Sequence, residues 1–197
     1  MKNPSLAVLF FAAVFAPALV AADLPAGLKA EPLHARSHGD GKTLFTRLEG
    51  DKIGIDMVNK MNVNHPMSFL YHSGMTTGGV AVGDFDGDGK PDIFFAGTTQ
   101  PSRLYRQVGK LGEMKFEDIT KSAGPIDGGG NWATGAGVAD VNGDGRLDIY
   151  VCYYEKPNQL FLNMGPGPKG EPVVFKEVAV PAGLAAVDCS HSAYFAD

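Results

Sequence analysis

The sequence predicts an all-β chain assembled from repeated four-stranded units. Two observations carry this. The stretch GVAVGDFDGDGKPDIFFAG at 79–97 returns as GAGVADVNGDGRLDIYVCY at 135–153, so Asp84 aligns with Asp140. Each copy then runs through short segments rich in Val, Ile, Phe and Tyr, separated by Gly, Pro, Asp and Asn clusters. No stretch sustains a 3.6-residue apolar period.

Taken in order, residues 1–22 read as a secretory signal peptide. Lys2 is the positive start, Leu6 to Val20 the apolar run, and Val20-Ala21-Ala22 the small-residue cleavage site. The apolar run contains Pro17 and is short for a membrane span, which needs about 20 apolar residues. Residues 23–43 form a polar, flexible leader. In 44–78, LFTRLEGDKIG (44–54) resembles the tail of a repeat: Phe45 matches Phe116 and Phe175, and Gly54 matches Gly124 and Gly183. A tail without its own head is expected to be a strand that closes a ring. The connection after it has strand character at SFLYHS (68–73).

The first full unit spans 79–134, with strands expected at GVAVGD, DIFFAGT, SRLYRQV and KFEDIT. The second spans 135–191, with strands at GAGVADV, DIYVCYY, NQLFLN and VVFKEV. SAYFAD (192–197) begins the pattern a third time, and its Asp197 aligns with Asp84 and Asp140. Four short strands in a repeat of this length are the mark of a β-propeller blade. Two blades alone would leave open strand edges, so the sequence reads as the N-terminal fragment of a longer protein.

Composition narrows the function. The 197 residues hold 17 Lys and Arg against 22 Asp and Glu, for a net charge of −5 and a pI near 5.5. No basic run exists, which argues against nucleic acid. Apolar residues make up 44%, enough for a core. No second apolar stretch follows the first, so the mature chain is expected to be exported and to lack a membrane span. Two cysteines exclude a disulfide scaffold and a four-cysteine zinc site. Cys152 and Cys189 are open to either a disulfide or two small buried thiols.

The chemistry lies in two loops, Asp84-Phe-Asp86-Gly-Asp88-Gly-Lys90-Pro-Asp92 and Asp140-Val-Asn142-Gly-Asp144-Gly-Arg146-Leu-Asp148. Side-chain oxygens at positions 1, 3, 5 and 9 let a curled loop aim them at one centre. Glycines at 4 and 6 permit the curl. The backbone carbonyls of Lys90 and Arg146, at position 7, add an oxygen each. Hard oxygen ligands in this number suit Ca2+. The loops are not EF-hands: position 12 is Phe95 or Val151 rather than Glu, and strands flank them. Two complete Ca2+ sites are expected, with a third begun at Asp197. Asn142 removes one charge, which predicts weaker binding at the second site. Without metal, the crowded carboxylates would repel one another.

The heads GDFDGDGKPDIFF and ADVNGDGRLDIYV resemble FG-GAP/VCBS repeats, the calcium-loop blades of propellers of the integrin-alpha-like type. Together with RLYRQ, FEDITKSAG and NQLFLN, they look closest to secreted bacterial proteins of the cartilage-acidic-protein-like group, which often carry a C-terminal ASPIC/UnbV domain. The resemblance is strong over 79–197 and weak over 44–78. It implies calcium ligands at Asp84, Asp86, Asp88 and Asp92 and at Asp140, Asn142, Asp144 and Asp148, and a seven-bladed ring.

No nucleophile elbow, zinc-protease motif, CxxC or phosphate-cradling loop is present. His72 reads as a structural histidine, and Trp132, Tyr153, Tyr154 and Phe161 as packing between blades. The expected function is a secreted, calcium-stabilised module for adhesion to an unknown protein or glycan. The alternative is a propeller-based hydrolase or polysaccharide lyase with catalytic residues outside this sequence.

Overall fold

The computed structural model describes residues 46–73, 78–110, 112–166 and 173–196. The expected signal peptide, the leader, Phe45 and Asp197 lie outside the described residues. Strands β1 (Gly79–Gly83), β2 (Asp92–Ala96), β3 (Arg103–Gln107) and β4 (Phe116–Asp118) form one sheet in that order. Strands β5 (Ala133–Ala139), β6 (Asp148–Pro157), β7 (Gln159–Pro166) and β8 (Val173–Glu177) form the second. All pairings are antiparallel. Each of the eight expected strands is therefore present, in two propeller-like sheets.

Register repeats with sequence. Ile93 pairs with Tyr105 as Ile149 pairs with Phe161. Alternation explains the burial along β2: Asp92, Phe94 and Ala96 point inward, and Ile93 and Phe95 are only half-buried. The core lies between the sheets, where Phe94, Leu104 and Ile119 meet Ile149, Val151, Phe161, Val173 and Phe175. Fully burying one such side chain stabilises by roughly 1.5–3 kcal/mol.

The leading strands of successive units approach closely. A Cβ on Gly79 would overlap the backbone of Gly135 and Ala136. A Cβ on Gly135 would come within 2.5 Å of the His191 carbonyl oxygen. Residues 191–193 thus lie against β5 as β5 lies against β1. Glycine at these positions lets the backbones meet.

Three features depart from the sequence expectation. Ser68–His72 is a 3₁₀ turn, not a strand. It buries Leu70, sets Tyr71 tilted against Trp132 with ring centroids 5.3 Å apart, and sets Phe69 edge-on against Tyr154 at 6.2 Å. Local bonds from Leu70 N to Met67 O and from Ser73 N to Leu70 O satisfy its backbone without a partner strand. Gly50–Ile53 is one helical turn, α1, the counterpart of α2 (Ala179–Ala182). An additional strand, β9 (Val187–Cys189), pairs with the far half of β6. Cys152 is buried and Cys189 exposed, and both are free thiols. Of the four aromatics expected to pack between blades, Trp132, Tyr153 and Phe161 are buried and Tyr154 is half-buried.

Candidate metal centre

The first loop joins β1 to β2, and its leading aspartate organises it. Asp84 Oδ1 accepts from the N–H groups of Gly87 (2.8 Å) and Asp88 (3.0 Å), and Oδ2 accepts from Gly89 (2.8 Å). Asp86 Oδ1 accepts from Asp88 N, and Asp88 Oδ1 from Lys90 N. Gly87 and Gly89 sit at φ 77° and 82°, a region costly for other residues, and their equivalents Gly143 and Gly145 at 73° and 82°.

The second loop, between β5 and β6, repeats this wiring. Asp140 Oδ1 accepts from Gly143 and Asp144, Oδ2 from Gly145, Asn142 Oδ1 from Asp144 N, and Asp144 Oδ1 from Arg146 N. The Gly145 N–H is the main reason that Asp140 is held below the usual carboxylate range.

Asp84, Asp86 and Asp88 each offer an oxygen, and these atoms lie within 4.8 Å of one another. The set is hard oxygen throughout, which fits Ca2+. In the second loop Asp140, Asn142 and Asp144 occupy the same places, with Asn142 Nδ2 donating to Asp144 Oδ2 at 2.9 Å. Asp92 stands outside the converging group. It is buried at the base of the loop, where Oδ2 accepts from Phe85 N (3.0 Å) and Oδ1 from Gln107 N (2.8 Å). Burial pushes its pKa up to about 6, and Asp86 and Asp88 add repulsion. Asp148 does the same for Val141 N and Asn163 N, and burial raises it too. These two aspartates clamp the second and third strands to the loop.

Residues 84–151 match the FG-GAP-like repeat family. Over that region the chain is similar to FG-GAP-like repeats. It is also similar to cartilage acidic protein 1. Identity is 33% over 101 residues with the Xenopus tropicalis protein, covering 51% of this chain and 14% of that one. It is 32% over 103 residues with the Homo sapiens protein, covering 52% and 14%, and 32% over 103 residues with the Mus musculus protein, covering 52% and 15%. The chain therefore spans only a small part of these relatives.

Around the two loops, the structure adds side-chain contacts that motif reading passed over. Lys90 Nζ pairs with Asp88 Oδ2 at 2.9 Å, the main cause of the lowered Asp88 pKa. Arg146 Nη2 pairs with Asp144 Oδ2 at 2.6 Å. These are side-chain roles, separate from the carbonyls that position 7 suggested. Arg106 on β3 reaches the first loop, with Nε 2.5 Å from Asp86 Oδ2 and Nη2 3.9 Å from Asp88 Oδ2. Asn163 on β7 is fully buried and donates from Nδ2 to Phe85 O (2.8 Å) and Leu147 O (3.2 Å), tying the first loop to the second sheet. The available signal was the repeat alignment itself, which sets Gln107 opposite Asn163 and Arg106 opposite Leu162. The carboxylates are thus offset by backbone N–H groups and cations, which answers the repulsion expected of a metal-free loop.

Among the described residues, no helix is long and apolar enough to cross a membrane.

Proposed function

We propose that these FG-GAP-like blades belong to a secreted β-propeller in which Ca2+ rigidifies the loops 84–92 and 140–148, and which serves as an extracellular binding or adhesion module for a protein or glycan. The single observation that carries this reading is the duplicated wiring. Two loops at equivalent places in successive repeats curl around the same oxygens, held by the same backbone donors. Asp84, Asp86 and Asp88 in one, and Asp140, Asn142 and Asp144 in the other, would hold the ion. Asp92 and Asp148 would brace it from the base. Bound Ca2+ would supply charge that joins adjacent strands of one blade, a structural role. Export by the segment 1–22, a seven-bladed ring and the unit boundaries at 79–134 and 135–191 belong to the same reading. Its support is the family match and the similarity to proteins named for cartilage, a name that fits an extracellular setting.

The test is calorimetric titration of the full chain with Ca2+, followed by thermal unfolding. A ligand present at 100 times its Kd stabilises by about 2.7 kcal/mol per site, so the midpoint should rise by several degrees and fall again with chelator. Asp84→Ala should remove one site and spare the other. An unchanged midpoint together with no binding heat would sink the proposal.

A further inference from the structure

The two loops differ by one carboxylate, and that carboxylate comes with its own cation. Asp86 in the first loop is replaced by Asn142 in the second. Arg106 on β3 is replaced by Leu162 on β7, at the same register: each follows the residue, Tyr105 or Phe161, that pairs with the equivalent isoleucine of the neighbouring strand. The two extra groups touch, with Arg106 Nε 2.5 Å from Asp86 Oδ2. The Asp86 side chain is only 8% exposed, so the contact is shielded from solvent. Glu117 lies directly across from Arg106 on β4, yet the ion pairs of Arg106 run to Asp86 and Asp88. Its Nε is buried and makes no aligned hydrogen bond. The contact is an ion pair, and an arriving cation would compete with Arg106 for Asp86. In all, four carboxylates meet Lys90 and Arg106 in the first blade, and three meet Arg146 in the second, which leaves the same net charge at both loops.

We propose that Arg106 is a resident counter-ion of the first loop, which neutralises Asp86 when the loop is metal-free and opposes Ca2+ there. The fourth carboxylate alone would make the first loop the tighter site. With Arg106 in place, the first loop binds Ca2+ no more tightly than the second and keeps its shape better when empty. The inference rests on the calcium reading above for its second half only; the pairing of Asp86 with Arg106 stands without metal.

The experiment uses the full chain as wild type, Arg106→Leu, Asp86→Asn and the double variant that reproduces the second loop's pair. Each is titrated with Ca2+ by calorimetry and melted in EDTA. Arg106→Leu is expected to tighten one site by about ten-fold, since a cation beside the ion is removed, and to lower the midpoint in EDTA by several degrees. Asp86→Asn in the same chain should return both values toward wild type. Arg106→Gln, which keeps polarity without charge, should behave like Arg106→Leu and guards against a packing defect. Unchanged or weaker Ca2+ affinity in both Arg106 variants overturns the proposal. So does an EDTA melt that Asp86→Asn fails to rescue. Absence of Ca2+ binding in every variant, with rescue in EDTA intact, overturns the calcium reading and the opposition to Ca2+ but retains the ion pair.

Discussion

In the first loop the residue after the leading aspartate, Phe85, is 2% exposed and meets Phe175 of the other sheet edge-on, with ring centroids 6.0 Å apart. In the second loop Val141 holds that place and is 40% exposed. The backbone wiring of the two loops is the same, so the curl is a local property of the Asp-Gly pattern. The anchoring is not local. The first loop is fastened from across the sheet interface, by Phe175 against the ring and by Asn163 on the Phe85 carbonyl. A loop of this kind is shaped by its own sequence and held by the blade beside it.

The sharpest way to break that comparison is to truncate the two residues in turn. Phe85→Ala should cost about 3–5 kcal/mol, the usual range for a buried phenylalanine. Val141→Ala should cost less than about 1 kcal/mol, because little buried surface is lost. Urea unfolding of the full chain measures both. Equal costs would show that burial of Phe85 does not fasten the sheets together.

Next in size is the polar fastening. Asn163→Asp keeps the shape and the acceptor for Gly165 N but loses both donations, to Phe85 O and Leu147 O. Leaving buried carbonyls unpaired, with a new buried charge beside them, should cost about 2–3 kcal/mol or more. Its counterpart Gln107 bonds within its own hairpin, through Glu113 O, Gly109 N and Lys115 N. Amide exchange should therefore speed up in the first loop for Asn163→Asp, though the mutation lies in the second sheet. For Gln107→Glu it should rise only around 107–115. Exchange confined to the second sheet in Asn163→Asp would refute the cross-sheet role.

These examples show what could be read from sequence. The eight strands, the repeat that sets Asp84 on Asp140 and the curled loops were legible because each follows from alternation and turn chemistry within a few neighbours. Gly54, Gly124 and Gly183 also aligned correctly: each caps a turn with positive φ, and Gly54 abuts Phe116 as Gly124 abuts Phe175. The turn at 68–72 was not legible. SFLYHS has the composition of a strand, and only Trp132 and Tyr154, far along the chain, decide where its aromatics go. The role of Arg106 was not legible either, since nothing near it in sequence names Asp86 as its partner. In the candidate site, position types were legible and their division of labour was not: Asp92 looked like a fourth converging ligand and sits as a buried clamp.

That division has a pH signature. Asp92 has a folded-state pKa near 6, above its ordinary value of 3.8. Its contribution to stability is fully present below 3.8 and lost as pH rises through about 6. Asp148 shifts in the same direction. Asp56, Asp88 and Asp140 are lowered, so their contributions are present above 3.8 and are lost only as pH falls below it. In EDTA the full chain should lose about 1 kcal/mol from Asp92 between pH 5 and pH 7. With saturating Ca2+ the slope should reverse, because protons then compete with the ion. A metal-free protein whose stability climbs over that interval would contradict the buried-clamp role.

The smallest expected effect separates the two loop cations. Lys90 makes one exposed ion pair, with Asp88. Exposed pairs contribute about 0–1 kcal/mol, so Lys90→Ala should hardly change stability. Arg146 pairs with Asp144 in the same way but also donates from Nε to Asn163 O at 2.9 Å. It thereby reaches the residue that fastens the sheets, and Arg146→Ala should cost about 1 kcal/mol more than Lys90→Ala. The backbone carbonyl at position 7 survives both changes. If that carbonyl is what the position gives the ion, each variant should bind Ca2+ at least as well as wild type, since a competing positive charge has gone. Weaker binding in Lys90→Ala would mean that the side chain shapes the loop, and that the two loops are less alike than their backbones.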